Sequence, residues 1–172
     1  MTKVFCFFFS KKKTLACLSD LALFRVSNRT EYSVNQYWLH YRLLANWGLN
    51  TLAKKWRVES IEEMQHADRL IERIIFLDGM PNMQTLEHLH IDRTVKEIVE
   101  NDLQIELTAR ALYAEGAAHC LSVSDLVSKD LFEILMKDEE QHIDYLETQL
   151  SLITRLGPEL YSQRQIGDSE SH

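Results

Sequence analysis

The sequence predicts an all-α four-helix bundle made of two helical hairpins joined by a long crossover, with a short fifth helix at the C-terminus. Three observations carry this expectation. Only five Gly and two Pro occur in 172 residues, too few turn-formers for the many reversals of an all-β fold. Apolar residues recur at alternating three- and four-residue steps from Arg29 nearly to the C-terminus, the period of a helix face. One stretch without that period, Pro81 to Ile91, falls between the second and third periodic runs and reads as the crossover. The length suits one domain with a sizeable core. We expect an atypical N-terminal segment of no assigned role over residues 1–27, the bundle over 28–166 and a frayed tail over 167–172.

The helices follow in order. In the first, Thr30, Val34, Tyr37, Tyr41 and Leu44 mark one face, and Trp47, Gly48 and Asn50 close it. A second runs from about Thr51 to Leu77 and stops at Asp78-Gly79-Met80-Pro81, a glycine-then-proline ending. The third starts near Asp92, an expected N-cap, and runs to about Cys120. The fourth spans from near Ser124 to just before Gly157, and Glu159 to Gln165 forms the short fifth.

Composition excludes several functions. A net charge of −7 gives no reason to expect nucleic acid or an anionic membrane as partner. Cys6, Cys17 and Cys120 are odd in number and lack a CxxC pair, which fits a reducing, cytoplasmic setting without a zinc or rubredoxin-type site. The apolar run Val4 to Phe9 is too short to span a membrane, and Lys11 to Lys13 follow it, the wrong order for a signal peptide.

The chemistry lies inside the apolar stripes. In the fourth helix Glu139 and His142 interrupt a stripe of Phe132, Leu135, Met136, Ile143, Leu146, Leu150 and Ile153. In the second, Glu63 and His66 extend the stripe of Leu70, Ile74 and Leu77. In the third, Glu106 lines up with Leu103 and Tyr113, with Arg110 between as a charge partner for core acids. Residues three or four apart share a helix face, so two Glu-x-x-His pairs and a further Glu point into a dry core. Unpaired carboxylates are costly there. Buried Glu–His salt bridges are one way to satisfy them. A pair of divalent irons satisfies more of them, because carboxylate oxygens and imidazoles suit iron and carboxylates can bridge. Two such pairs plus a Glu from each remaining helix is the constellation of carboxylate di-iron bundles. Glu87 and His90 share the spacing but sit in the aperiodic connection, where they read as a solvated loop.

The fourth carboxylate is missing. Glu106 precedes Glu139 by 33 residues, and the same step back from Glu63 reaches Thr30. Glu31 is next door, about 100° round the helix. The second helix also carries a second apolar stripe, Ile61, Met64, Ile71 and Ile75, as expected of a helix buried by another subunit. Met64 is either a gap-filling apolar residue or a thioether ligand.

Three runs resemble bacterioferritins: Val34-Asn-Gln-Tyr-Trp-Leu-His-Tyr-Arg-Leu-Leu, Glu59-Ser-Ile-Glu-Glu-Met-Gln-His-Ala-Asp and Asp138-Glu-Glu-Gln-His-Ile-Asp-Tyr-Leu-Glu. The likeness covers roughly Val34 to Gln165, and the run through Met64 distinguishes this family from haem-free ferritins. It implies a ferritin-like bundle in which Glu63 and Glu139 bridge two irons, His66 and His142 bind one each and Glu106 is a terminal ligand. It further implies that Tyr37 stands beside the centre and that Met64 ligates haem b on a two-fold axis with its symmetry mate. The family forms twenty-four-subunit shells that oxidise ferrous iron with oxygen or peroxide and store ferric mineral, with a ferredoxin-type reductase implied for release. The family's glutamate six residues before the Gln of Asn-Gln-Tyr is Thr30 here, and the upstream helix is unlike the family. Glu31 is then a strained substitute, on the side where the family's haem lies.

Two rivals to the ferroxidase expectation remain. One is a structural or haem-carrying shell subunit whose own centre is impaired at Thr30; the other is a di-iron peroxidase or oxygenase, which has no use for Met64. The other histidines carry no metal role: His40 is expected to pack or hydrogen-bond at a helix surface, and His88 and His119 to face solvent. Cys120 is expected to be a core or helix-end residue.

Overall fold

The computed structural model describes residues 30–81 and 88–167; residues 1–29, Glu87 and the tail beyond Gly167 lie outside these. Five helices fill the described chain: α1 (30–46), α2 (Asn50–Phe76), α3 (Val95–Ser122), α4 (Leu126–Leu156) and α5 (Pro158–Gln165). Among the described residues there is no strand, and no helix is long and apolar enough to cross a membrane.

The helix ends follow local chemistry. Between α1 and α2, Gly48 adopts φ +78°, a left-handed conformation that costs glycine little, so a three-residue turn makes a hairpin. At the end of α2 the left-handed residue is Asp78, φ +65°, one position before the glycine that the sequence suggested; Asp tolerates this conformation through its short polar side chain. The start of α3 differs from expectation. Its N-cap is Thr94, in a capping box with Glu97 (Glu97 N to Thr94 Oγ1 3.2 Å, Thr94 N to Glu97 Oε2 3.0 Å). Asp92 is engaged elsewhere, accepting from Asn101 Nδ2 at 2.7 Å and facing His40 Nε2 at 2.9 Å. Asp125 caps α4 by accepting from Ser128 N at 3.1 Å.

The crossover is pinned to α1. The Gln36 amide donates to His90 O and accepts from His90 N, both at 2.8 Å. His90 itself is exposed, and Gln36 is fully buried. At the other end, Asn50 Nδ2 donates to Gly167 O at 2.8 Å, which ties down the first residue of the expected tail.

The core is divided in two. One apolar cluster joins Leu70, Ile74, Leu77, Tyr113, Phe132 and Leu135. The other joins Tyr37, Leu44, Leu52, Trp56, Ile98, Leu146, Ile153 and Tyr161. On α2, α3 and α4 alike, buried polar residues lie between the clusters: Glu59, Ser60, Glu63 and His66, then Asp102 and Glu106, then Glu139 and His142. In the first cluster the ring of Phe132 would lie 2.9 Å from any Cβ at Gly116, so a side chain there would force the α3–α4 contact apart.

Candidate metal centre

The polar belt brings together the acids that the sequence singles out. Ligand atoms of Glu63 on α2, Glu106 on α3, and Glu139 and His142 on α4 lie within 4.8 Å of one another, and all four residues are buried. His66 joins them from α2: its Nδ1 is 3.3 Å from Glu63 Oε1 and 3.3 Å from Glu139 Oε1. His142 Nδ1 lies 3.4 Å from Glu139 Oε2, 3.7 Å from Glu106 Oε1 and 3.8 Å from Glu63 Oε1. The two imidazoles are nearly parallel, 17° apart with centroids 6.2 Å apart.

This nest is short of positive charge. Both oxygens of Glu63 and of Glu139, and Oε2 of Glu106, are buried without a hydrogen bond. Burial and the nearby Glu106 push the Glu139 carboxyl up to about 7. Burial and Glu139 likewise raise Glu63. Burial alone would lower the histidines, but the adjacent carboxylates of Glu139 and Glu63 carry His66 to about 10. Against the same burial, Glu106 and Glu139 carry His142 to about 11. Protons therefore neutralise the nest where cations would otherwise do so.

Each end of the nest has a tyrosine. Tyr37, buried on α1, donates its hydroxyl to Glu106 Oε1. Thr30 is buried, and its hydroxyl is 3.3 Å from Tyr113 Oη. Residue 30 thus faces the core, as its spacing predicts, with its hydroxyl beside that of Tyr113. Glu31 is not in the group. It is half-buried, one carboxylate oxygen is shut from solvent without a hydrogen bond, and burial raises its pKa. Met64 is 55% exposed and Trp38 45%, so both lie on the outer surface of this single chain.

The chain as a whole is similar to known proteins. A family model described as a ferritin-like domain matches residues 21–156. A bacterioferritin of Brucella melitensis is 58% identical over 131 residues, 76% of this chain and 81% of that protein. One from Rhodobacter capsulatus is 53% identical over 127 residues, 74% and 79% of the two chains. One from Mycobacterium leprae is 45% identical over 130 residues, 76% and 82%. The chain belongs to the bacterioferritin family. Within that family's fold, the long crossover and the short α5 of this chain are as the sequence predicts.

Some residues are placed differently from expectation. Arg110 is not in the core; its guanidinium reaches the surface and pairs with Glu140 Oε1 at 2.6 Å. Its long side chain leaves the apolar face and carries its charge to solvent. His40 is fully buried rather than superficial, with Nδ1 2.8 Å from Asp102 Oδ2 and Nε2 2.9 Å from Asp92. Trp56 Nε1 donates to the same Asp102 carboxylate at 2.6 Å. His88 is exposed, and Cys120 is buried with its thiol raised to about 11 by burial and Asp125.

Three acids around the histidines are not singled out by sequence. His66 Nε2 lies 3.5 Å from Asp138 Oδ2. His142 Nε2 lies 3.0 Å from Glu59 Oε2 and 3.3 Å from Glu62 Oε2. A cavity of about 330 Å³ opens here, lined by Lys55, Glu62, His66, Asp138 and His142 among others. It gives the outer edges of both imidazoles an opening to the surface. Glu59 stands four residues before Glu63, so the same-face rule that links Glu63 to His66 could have found it.

Proposed function

We propose that this chain is a subunit of an iron-storing, cytoplasmic shell that binds two ferrous ions in the buried belt and oxidises them. The observation that carries the proposal is the nest itself: three carboxylates and two imidazoles with deprotonatable ligand atoms, and carboxylate oxygens left without hydrogen bonds in a dry core. Glu63 and Glu139 are the bridging ligands, His66 and His142 bind one iron each, and Glu106 is terminal. Tyr37 holds Glu106 through its hydroxyl. Two ferrous ions give one electron each to oxygen, which takes up two protons and leaves as peroxide; with peroxide as oxidant the product is water. Ferric iron then passes to the shell interior as mineral. The relatives' printed name, bacterioferritin, supports iron as the cargo.

The test is stopped-flow oxidation of two Fe²⁺ per subunit in air. A fast saturating phase that vanishes in Glu63→Ala is expected; equal rates in both proteins would sink the centre. The same preparation should elute as a very large particle, consistent with a twenty-four-subunit shell.

Thr30 favours one second reading, a subunit whose shell and haem roles persist while its own centre is impaired. Its hydroxyl faces Tyr113 at the fourth-acid position and adds no negative charge to balance Fe²⁺. Met64 presents its thioether on the exposed side of α2, a donor type that can ligate haem b, and in the proposed shell the Met64 of a second copy would be the other ligand. When bound there, haem would supply a route for electrons from a ferredoxin-type reductase to the ferric mineral, which would let iron leave as Fe²⁺. Met64→Ala should abolish the bound-haem absorption band; an unchanged band would remove the axial assignment.

A further inference from the structure

The two histidines of the belt are not held alike. Both turn Nδ1 inward, so in both the second nitrogen decides how firmly the ring is fixed. For His66 that nitrogen meets Asp138 at 3.5 Å, and the Asp138 side chain is 33% exposed. For His142 it meets Glu59 at 3.0 Å, with the Glu59 side chain 4% exposed. An imidazole that gives one nitrogen to a metal commonly donates its other N–H to a carboxylate, which sets tautomer and ring orientation. A buried acceptor at hydrogen-bond distance does this far better than a half-exposed one at 3.5 Å, where water competes.

Glu59 is itself held. Lys55, one turn earlier on α2, pairs with its Oε1, and the Lys55 ammonium lies 5.2 Å from the centre of the Tyr145 ring. Oε1 is thus engaged by charge while Oε2 lies 3.0 Å from His142 Nε2, and neither oxygen accepts a hydrogen bond in this geometry. The hydrogen bond that His142 Nε2 makes here is with Glu62 Oε2, at 3.3 Å, but the Glu62 side chain is 43% exposed and is free to turn to water in the cavity, whereas Glu59 is nearer and shut in.

We propose that Glu59 is a positioning residue: once a cation holds His142 Nδ1 beside Glu106 and Glu139, Glu59 takes the Nε2–H in place of the exposed Glu62 and so fixes the ring. The inference rests on the metal centre proposed above. It implies two unequal cation positions, with the one at His142 depending on Glu59 and the one at His66 independent of it.

The test is Co²⁺ titration of the full-length protein by equilibrium dialysis, followed in parallel by the visible cobalt spectrum. The wild-type chain takes up two Co²⁺ per subunit. In Glu59→Leu one equivalent should weaken roughly 10- to 100-fold, the cost of losing an outer partner of a metal ligand, and the other should hold. The spectral change tied to the weakened equivalent should move to higher Co²⁺. Glu59→Gln, whose amide oxygen can still accept the Nε2–H, should recover most of the lost affinity. Equal weakening of both equivalents would overturn the assignment, since general destabilisation does not select one. So would a glutamine variant as weak as the leucine one, which would make charge rather than hydrogen bonding the operative property. A third wild-type equivalent that disappears in Glu59→Gln would make Glu59 a ligand of its own cation instead. Failure of the wild-type chain to bind Co²⁺ would overturn the centre and this inference together; failures seen only in the variants leave the centre standing.

Discussion

The two ends of the belt are built on the same offsets and finished differently. On α3, Glu106 is followed seven residues later by Tyr113; on α1, Thr30 is followed seven later by Tyr37. The helices exchange tyrosines: Tyr37 of α1 serves Glu106 of α3, and Tyr113 of α3 faces Thr30 of α1. Each end would therefore be an acid held by the opposite helix's tyrosine, and one end has a hydroxyl instead. The difference reaches the histidines. His142 has Glu106 among the acids that raise it, and His66 does not. Backbone and packing preserve the two-fold plan even where one functional group is absent. Position and chemistry are thus separable in this fold.

The largest effect that sharpens this comparison is on the metal-free protein. Both histidines have folded values, about 10 and about 11, above the ordinary 6.5. Their contribution to stability is fully present below pH 6.5 and is lost as pH rises through those folded values. Between these limits the folded chain holds the extra protons, so stability falls as pH rises. Glu139, raised from 4.5 to about 7, acts in the same direction between those values. Urea midpoints of the apoprotein should therefore fall from neutral pH to pH 10, and Zn²⁺, by displacing the protons, should flatten the curve. A flat apoprotein curve would mean that the belt is not holding those protons.

Next comes repair of the incomplete end. Thr30→Glu should speed the fast phase of Fe²⁺ oxidation by about tenfold, equivalent to ~1.4 kcal/mol of barrier, and Glu31→Gln should leave it unchanged. If the threonine substitution alters nothing and Glu31→Gln slows the reaction, Glu31 has replaced the missing acid and the two ends are equal after all.

The smallest effect separates the tyrosines. Tyr37→Phe removes a donor from a buried carboxylate and should cost roughly 1.5–3 kcal/mol of stability, whereas Tyr113→Phe breaks a neutral contact and should cost about 1 kcal/mol. Chemical denaturation of the two variants measures both; equal losses would erase the distinction between the ends.

The plan of the bundle was legible in the sequence because it depends on periodicity. The stripe Thr30, Tyr37, Leu44 is buried as expected, and the acids that interrupt the α2, α3 and α4 stripes meet in one place. What sequence missed depends on partners from distant segments. His40, three residues after Tyr37 and four before Leu44, lies on the buried face of its helix, but only the fold brings Asp92 and Asp102 to it. Arg110 falls at the margin of the α3 face, where a long side chain can go either way, and Glu140 on α4 decides for the surface. Asp92 looked like a helix cap because nothing local revealed its competing partners.

The division of the core has a mechanical consequence. Two greasy ends separated by a ring of acids make a bundle with a weak waist, because the waist is where like charges crowd. Cations seated there would act as rivets between α2, α3 and α4, turning two semi-independent cores into one cooperative block. Iron loading would then be felt along the whole length of the subunit, as slower amide exchange in Leu70 and Phe132 at one end and Leu52 and Ile153 at the other.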